Sequence, residues 1–194
     1  MQTYSLVVNN NQYMLVSLLF RYLSERYIVS SMKDQIVSAG GAIQGGKRID
    51  ISNALSVLRP KLGDNAGVAL YRLLRLVALE DIIGRGAGAT AYVAGKKLGG
   101  SLGLTKLEDF LELCRAISLG IIEVPVLTAN RIYVDVYECV TCSGMAPVGR
   151  TLCQFEAGIV AGVVQSIVGK PAKAKEITCI GGLGHDSCGV EVLI

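Results

Sequence analysis

The chain has 194 residues and is 51 % hydrophobic but only 18 % charged, against about 25 % charged for an average soluble domain. This length suits one domain, or one domain with an N-terminal elaboration, and the apolar excess indicates a buried self-association face or an apolar cavity. The net charge of +3 comes from interspersed residues without a basic stripe, which excludes a nucleic-acid-binding face. Every apolar run stays well short of the roughly 20 residues that a membrane span needs.

Six cysteines occur in a chain whose N-terminus lacks the basic and apolar regions of a secretion signal. This combination indicates a cytoplasmic protein, in which clustered cysteines are more often metal ligands than disulfides. Five of the six lie between Tyr137 and Val192, so we expect the chemistry of the chain in its last third.

The N-terminal part predicts a helical arm. Residues 3–8 favour a short strand, and Tyr13 to Tyr27 place apolar residues at helical spacing, which is typical of an amphipathic helix. We expect a boundary near Gln44 to Asp50. Residues 1–45 would then form an arm, which is a candidate dimerisation element, and residues 46–194 would form the main domain.

Helical periodicity continues through the middle of the chain. The predicted helices are Ile51 to Leu58, Asp64 to Ile83, Gly86 to Leu98 and Thr105 to Ser118. Thr105 and Glu108 have the spacing of a capping box at the start of the last of these helices.

Small residues recur every four positions in the third predicted helix, at Ala87, Ala91, Gly95 and Gly99. Small side chains at this interval let another backbone approach closely. Tight packing inside the core and a seam between two copies of the chain both explain the stripe.

The period changes in the second half of the chain. Alternating residues predict a β-hairpin of Ile121 to Leu127 and Arg131 to Val140. An apolar helix follows over Cys153 to Val168, and a last hairpin joins Ala172 to Ile180 with Ser187 to Leu193 around the loop GGLGHD. Helices followed by two hairpins that flank a helix predict an α+β fold, with N-terminal helices and a curved antiparallel sheet.

Cys139 and Cys142 form a Cys-x2-Cys pair after the first hairpin. Such a pair occurs in zinc ribbons and in redox motifs, but the chain has no second pair for a ribbon, and Cys139 follows a strand rather than starting a helix. A structural role in the loop, a metal-binding role and a redox role remain open for the two residues.

Three other cysteines and one carboxylate offer a second metal set, which consists of Cys153, Glu176, Cys179 and Cys188. Four ligands of these types suit a structural zinc. Glu176 and Cys179 have opposite parity on a strand, so a bulge or an early strand end near Thr178 is needed to bring them together. Buried core thiols explain the same residues without a metal. The single histidine, His185, is either a substitute for Glu176 or a polar turn residue.

The run YECVTCSGMAPVGRTLCQFEAGIVAGVVQSIVGKP, followed by KEITCIGGLGHDSC, closely resembles the 4-vinyl reductase domain family. The family pattern has a strand ending in Glu-Cys, a Gly-rich loop, a Cys at a helix start, then Glu-x-x-Cys and a final Cys before the last strand. The family includes sensor domains of phenol- and xylene-responsive transcription activators and a protein associated with bacteriochlorophyll 4-vinyl reduction.

The resemblance implies a fold similar to the ligand-binding domain of nitric-oxide sensors and to trafficking-complex subunits. It also implies a structural Zn²⁺, because the sensor members hold zinc with three Cys and one Glu, which fall on Cys153, Glu176, Cys179 and Cys188. The chain has no Trp, so the His and Trp that contact effectors in the sensors have no counterpart pair here.

The function that follows is binding or sensing of a small hydrocarbon or aromatic molecule, in a homodimer and without catalysis. We expect the pocket among residues 64–83, Tyr92 and its neighbours, residues 105–118 and the 121–140 hairpin. The alternative is a reductase, or a reductase accessory protein, that acts on a tetrapyrrole-like substrate. Gly84 to Ala89 (GRGAGA) matches a dinucleotide fingerprint only in part and lies between helices. A purely structural interaction subunit is the third hypothesis.

Overall fold

The computed structural model describes residues 58–61 and 66–194, which all lie in a compact unit of Ile36–Ile194. The predicted arm over residues 1–45, its boundary, and all but the last residue of the helix predicted over Ile51 to Leu58 lie outside the described residues.

The described chain runs from helices into a mixed second half. In order, its elements are α1 (Val68–Arg72), a π-helical stretch (Leu73–Ala78), α2 (Leu79–Ile83), a 3-10 turn (Gly84–Gly86), α3 (Ala87–Ser101), α4 (Leu107–Ala116), β1 (Ile121–Leu127), β2 (Arg131–Tyr137), α5 (Gln154–Val168), β3 (Lys173–Glu176), α6 (Ile180–Leu183) and β4 (Cys188–Leu193). Among the described helices, none is long and apolar enough to cross a membrane.

The helix predicted over Asp64 to Ile83 is present from Val68 to Ile83, with one π-helical stretch inside it. We call this stretch, α1 to α2, the 68–83 segment. It ends at Gly84, whose φ of 64° lies in the left-handed region that glycine tolerates best. A π-turn inside an α-helix shifts the phase of its side chains, so the face predicted from a uniform 3.6 period is not kept along the whole segment.

The small-residue stripe of α3 packs against α5 inside this chain. A Cβ built at Gly95 or Gly99 would collide with the backbone carbonyl of Phe155 or Ile159, and one at Gly158 would collide with the carbonyl of Tyr92. The two helices therefore touch backbone to backbone, which only glycine permits at these positions. Tight core packing is the correct explanation of the stripe, and α5 in turn packs on β3 and β4.

The capping box predicted at Thr105 and Glu108 is wrong. Helix α4 begins at Leu107, and the residue before it is the extended Lys106, which makes no side-chain capping hydrogen bond. Leu104 is buried and Thr105 is exposed, so the chain anchors in the core before it enters the helix. The register of α4 is instead set by its buried face of Phe110, Leu113 and Cys114.

The sheet is open, with strand order β1-β2-β4-β3 and every neighbouring pair antiparallel. This confirms the predicted α+β fold with an antiparallel sheet. The last hairpin differs in detail, because β3 stops at Glu176 and Ile180 to Leu183 form a short helix where a plain loop was expected. The N–H groups of Ile177 and Thr178 both bond the carbonyl of Gly189, two residues opposite one as in a β-bulge.

Candidate metal centre and the adjoining pocket

Five thiols and one carboxylate meet where α5, β3 and β4 approach the turn after β2. Cys153 lies at the N-cap of α5, Cys179 precedes α6 and Cys188 begins β4, while Cys139 and Cys142 lie in the turn. Each of the five cysteines is at most 1 % exposed. We call these residues, together with Glu176, the thiol cluster.

The structure brings together the four residues that the sequence offered as a metal set. The ligand atoms of Cys153, Glu176, Cys179 and Cys188 all lie within 4.8 Å of one another. The irregularity at Ile177 and Thr178 makes this arrangement geometrically feasible, because Cys179 has already left the strand and need not follow its alternation. The parity conflict between Glu176 and Cys179 is thereby removed.

The Cys-x2-Cys pair enters the same cluster. The Sγ atoms of Cys139, Cys142, Cys153 and Cys188 also lie within 4.8 Å of one another, with Cys142 only 3.2 Å from Cys188 and 3.5 Å from Cys153. Spacing alone left the pair open between several roles. Its membership in one cluster with Cys153 depends on how the turn packs, which the sequence does not show.

The turn that carries the pair is held by an arginine that sequence reasoning missed. Arg72 donates hydrogen bonds from Nε to the Val140 carbonyl at 2.8 Å and from Nη2 to the Ser143 carbonyl at 2.9 Å. The N–H of Ser143 closes the turn on the Cys139 carbonyl at 2.9 Å. A guanidinium therefore fixes the turn and places positive charge beside a thiol-rich site.

Glu176 carries the clearest sign that the cluster suits a cation. Its Oε2 accepts the N–H of Cys153 at 2.8 Å, whereas its buried Oε1 has no hydrogen-bond partner in the described part of the chain. Burial, and then the neighbouring Cys179 thiol, raise the pKa of Glu176 from 4.5 to about 9. An orphaned carboxylate oxygen among buried thiols fits a thiophilic divalent metal such as zinc.

His185 belongs to the tip loop rather than to the donor set. Its Nδ1 accepts the backbone N–H of Cys179 at 3.3 Å, and its own N–H bonds the Cys179 carbonyl at 3.2 Å. Neither group of close donor atoms found among the described residues includes it. His185 thus holds the backbone around a candidate ligand.

A cavity of about 420 Å³ lies beside the thiol cluster, between the 68–83 segment, the first half of α3 and the start of α5. Its lining is mostly apolar and comprises Tyr71, Leu74, Arg75, Leu76, Leu79, Glu80, Ile83, Ala87, Gly88, Thr90, Ala91, Ala94, Leu152, Gln154 and Phe155. The expected contribution of residues 64–83 is present. The expected contributions of residues 105–118 and of the 121–140 hairpin are not, because α4 packs on β1 instead.

A buried polar network connects the cavity wall to the thiol cluster. The carboxylate of Glu156 accepts hydrogen bonds from Thr141 Oγ1 at 2.6 Å, Tyr71 Oη at 3.0 Å and Arg75 Nη2 at 3.1 Å. Burial and the Glu156 charge raise the pKa of Tyr71, so its hydroxyl stays protonated and remains a donor. Thr141 lies between Cys139 and Cys142, so the same turn serves both sites.

Comparisons with known proteins agree with this architecture. A profile of the 4-vinyl reductase domain matches residues 132–194. The chain is 34 % identical to the uncharacterised protein MJ1642 of Methanocaldococcus jannaschii over 132 residues, which cover 68 % of this chain and 80 % of that protein.

Two solved structures share the fold. A vinyl-4-reductase family protein of Methanocaldococcus jannaschii superposes with a TM-score of 0.54 at 20 % identity, covering 68 % of this chain and 83 % of that one. The phenol-responsive sensory domain of the transcription activator PoxR, solved with phenol, gives a TM-score of 0.55 at 16 % identity, covering 87 % and 89 %. Together with the profile match and the relative at 34 % identity, the sequence places this chain in the 4-vinyl reductase domain family.

Proposed function

We propose that this chain is a non-catalytic binding module for a small hydrocarbon or aromatic molecule, stabilised by a structural zinc on Cys153, Glu176, Cys179 and Cys188. The observation that carries the proposal is the apolar cavity whose wall includes Leu152, Gln154 and Phe155, the residues on either side of Cys153. One short segment therefore serves both the cavity and the metal site.

The cavity supports a small ligand with an apolar body. Its volume of about 420 Å³ lies at the lower end of the roughly 300–1,000 Å³ typical of small-molecule pockets. The Arg75 guanidinium lies over the Phe155 ring, and its buried Nε has no partner among the described residues. An apolar ligand with one hydrogen-bond acceptor would suit these walls, and the PoxR sensory domain, which has this fold, was solved with phenol.

Zinc would act here as a structural clamp. Three thiolates and one carboxylate complete a closed tetrahedral site, which leaves no open position for water or substrate. The ligands come from the N-cap of α5, the end of β3, the loop before α6 and the start of β4. Such a site would fix the start of α5 and, through it, the wall of the cavity.

Native mass spectrometry before and after a strong chelator tests both parts of the proposal. We expect a mass excess of one zinc per chain and a separate organic adduct that survives gentle purification. Cys153→Ser should lose the zinc, whereas Cys114→Ser, a buried thiol of α4 outside the thiol cluster, should keep it. A fresh, reduced protein without metal would refute the zinc site, and a cavity that binds no apolar molecule would refute the binding module.

A reductase, or a reductase accessory protein, acting on a tetrapyrrole-like substrate is the second candidate. The likeness to a protein of the vinyl-4-reductase family favours it, although that likeness shows the fold alone. The cavity is small for a tetrapyrrole ring. A shift of the pigment absorption band when the protein is mixed with a vinyl-tetrapyrrole and a reductant would support this candidate, and an unchanged spectrum would count against it.

We also propose that the chain works as a homodimer in the cytoplasm. The apolar composition motivates the dimer, and six cysteines without a secretion signal motivate the location. The glycine stripe of α3 no longer supports a dimer, because α5 of the same chain fills it. Light scattering on size-exclusion fractions would show a doubled mass if the proposal is right and a single chain mass if it is not.

A further inference from the structure

The thiol cluster contains more donors than one tetrahedral metal needs. Beyond the proposed ligands Cys153, Glu176, Cys179 and Cys188, the Sγ atom of Cys142 lies 3.5 Å from that of Cys153, 3.8 Å from Cys179 and 3.2 Å from Cys188. Cys142 is fully buried and faces all three thiols of the proposed set.

These distances match the edges of a tetrahedral four-thiolate site. Zinc–sulfur bonds are about 2.3 Å long, so two thiolates on one tetrahedral zinc lie about 3.8 Å apart. Besides the three distances from Cys142, the Cys153 and Cys188 sulfurs are 3.7 Å apart. The two remaining sulfur pairs, which involve Cys179, lie within 4.8 Å. An iron–sulfur cluster would place its own sulfides between the ligands and would need them further apart.

The surroundings of Cys142 suit a thiolate. The Arg72 guanidinium holds the carbonyls of Val140 and Ser143, on either side of Cys142, and so brings positive charge to this turn. The turn itself is closed by the Cys142 and Ser143 N–H groups on the Cys139 carbonyl, which fixes where the Cys142 side chain projects. A fixed thiol beside a cation is better prepared to bind metal than a free one.

Glu176 is placed differently from the thiols. One of its oxygens is already used by the Cys153 N–H at 2.8 Å, and only Oε1 remains to bind a metal. Cys142 and Glu176 therefore compete for one position, since each completes a tetrahedron with the same three thiolates.

We propose that Cys142 supplies a fourth thiolate to the metal of this chain, and that Glu176 is the alternative fourth ligand, which takes the position when Cys142 is lost. The proposal rests on the metal site of the proposed function and changes its fourth ligand. It makes the site redundant, so that neither Cys142 nor Glu176 is needed alone and the loss of both removes the metal.

Reconstitution of the chelator-treated protein with Co²⁺ tests the ligand count, because thiolate-to-cobalt charge-transfer absorption grows with the number of thiolates. Cys142→Ser should lower this absorption by about a quarter, from four thiolates to three, and keep one metal per chain. Glu176→Gln should leave the band unchanged. The double variant Cys142→Ser/Glu176→Gln should bind no metal. Cys139→Ser and Cys114→Ser are the matched thiol controls and should match the wild type.

X-ray absorption at the zinc edge of the wild-type protein gives the same count without any variant, so a variant that fails to fold does not decide the test. Four sulfur neighbours support the proposal. Three sulfurs and one oxygen, or loss of metal from Glu176→Gln alone, overturn it while leaving the proposed zinc site intact. A wild-type protein that takes up neither metal overturns both.

Discussion

Thr141 Oγ1 donates a 2.6 Å hydrogen bond to the carboxylate of Glu156, which is only 4 % exposed. Thr141 lies inside the Cys-x2-Cys turn, and Glu156 lies in the first turn of α5. Through this contact, and through the Arg75 and Tyr71 bonds to the same carboxylate, the thiol cluster and the cavity share one buried charge. A change in either site is therefore felt by the other.

Replacing Thr141 by Val removes this donor while keeping the shape of the side chain. A buried hydrogen bond to a charged group contributes about 1.5–3 kcal/mol, so we expect Thr141→Val to lower the free energy of unfolding by that amount in urea titrations. Thr105→Val, at an exposed position, is the control and should change little. Equal midpoints for the two variants would show that the Thr141 contact contributes nothing to stability.

Gly95→Ala should be strongly destabilising. The added methyl would meet the Phe155 carbonyl on α5, and backbone atoms cannot move aside without separating the helices. Overpacking of this kind costs about 1–3 kcal/mol, and more where the backbone is the obstacle. Thermal unfolding followed by circular dichroism measures the loss.

Gly100→Ala in the same helix is the matched control. Its added Cβ would lie 3.8 Å from the Gly162 carbonyl, an ordinary contact. The higher helix propensity of alanine should then stabilise it by up to about 1 kcal/mol. Similar melting temperatures for Gly95→Ala and Gly100→Ala would contradict the close helix contact.

Elements that depend on local periodicity could be predicted from the sequence. The β1–β2 hairpin and helix α5 follow from alternation and from an apolar run that ends at Gly169, which has a φ of 65°. The end of β3 could not be predicted, because Ile177 and Thr178 continue the strand pattern. Their departure depends on both bonding one residue of β4, Gly189, which is a tertiary relation.

The candidate site shows the same division. Cys153, Glu176, Cys179 and Cys188 could be identified from residue type and family resemblance, and the structure places their ligand atoms within 4.8 Å of one another. The approach of Cys142 to this set, and the role of Arg72 in holding its turn, depend on packing between segments far apart in the chain. No local pattern carries that information.

Cys114 should be unreactive in the folded protein. Burial raises the pKa of its thiol from 9.0 to about 12. At pH 8 this lowers the thiolate fraction by about a thousandfold relative to the unfolded chain, since each pKa unit is a factor of ten. Alkylation by iodoacetamide, read by peptide mass spectrometry, should be slower by at least this factor in the native protein than in urea.

The same pKa shift has a consequence for stability at high pH. The folded state holds the Cys114 proton more tightly than the unfolded state, so this contribution to stability is complete below pH 9.0 and is lost as the pH rises towards 12. Cys114→Ala should flatten that part of the stability profile. Rapid alkylation of native Cys114, or an unchanged profile in Cys114→Ala, would contradict the burial of this thiol.

Filling the cavity should abolish ligand binding without unfolding the protein. Ala91 lines the cavity from α3, so Ala91→Met would project a longer side chain into the space that the ligand would occupy. We expect affinity for an apolar fluorescent probe to fall about tenfold or more, a loss of about 1.4 kcal/mol. Ala89→Met is the control, because Ala89 lies on the same helix, is exposed and does not line this cavity. Equal probe affinity in both variants, with folding verified by circular dichroism, would place the binding site elsewhere.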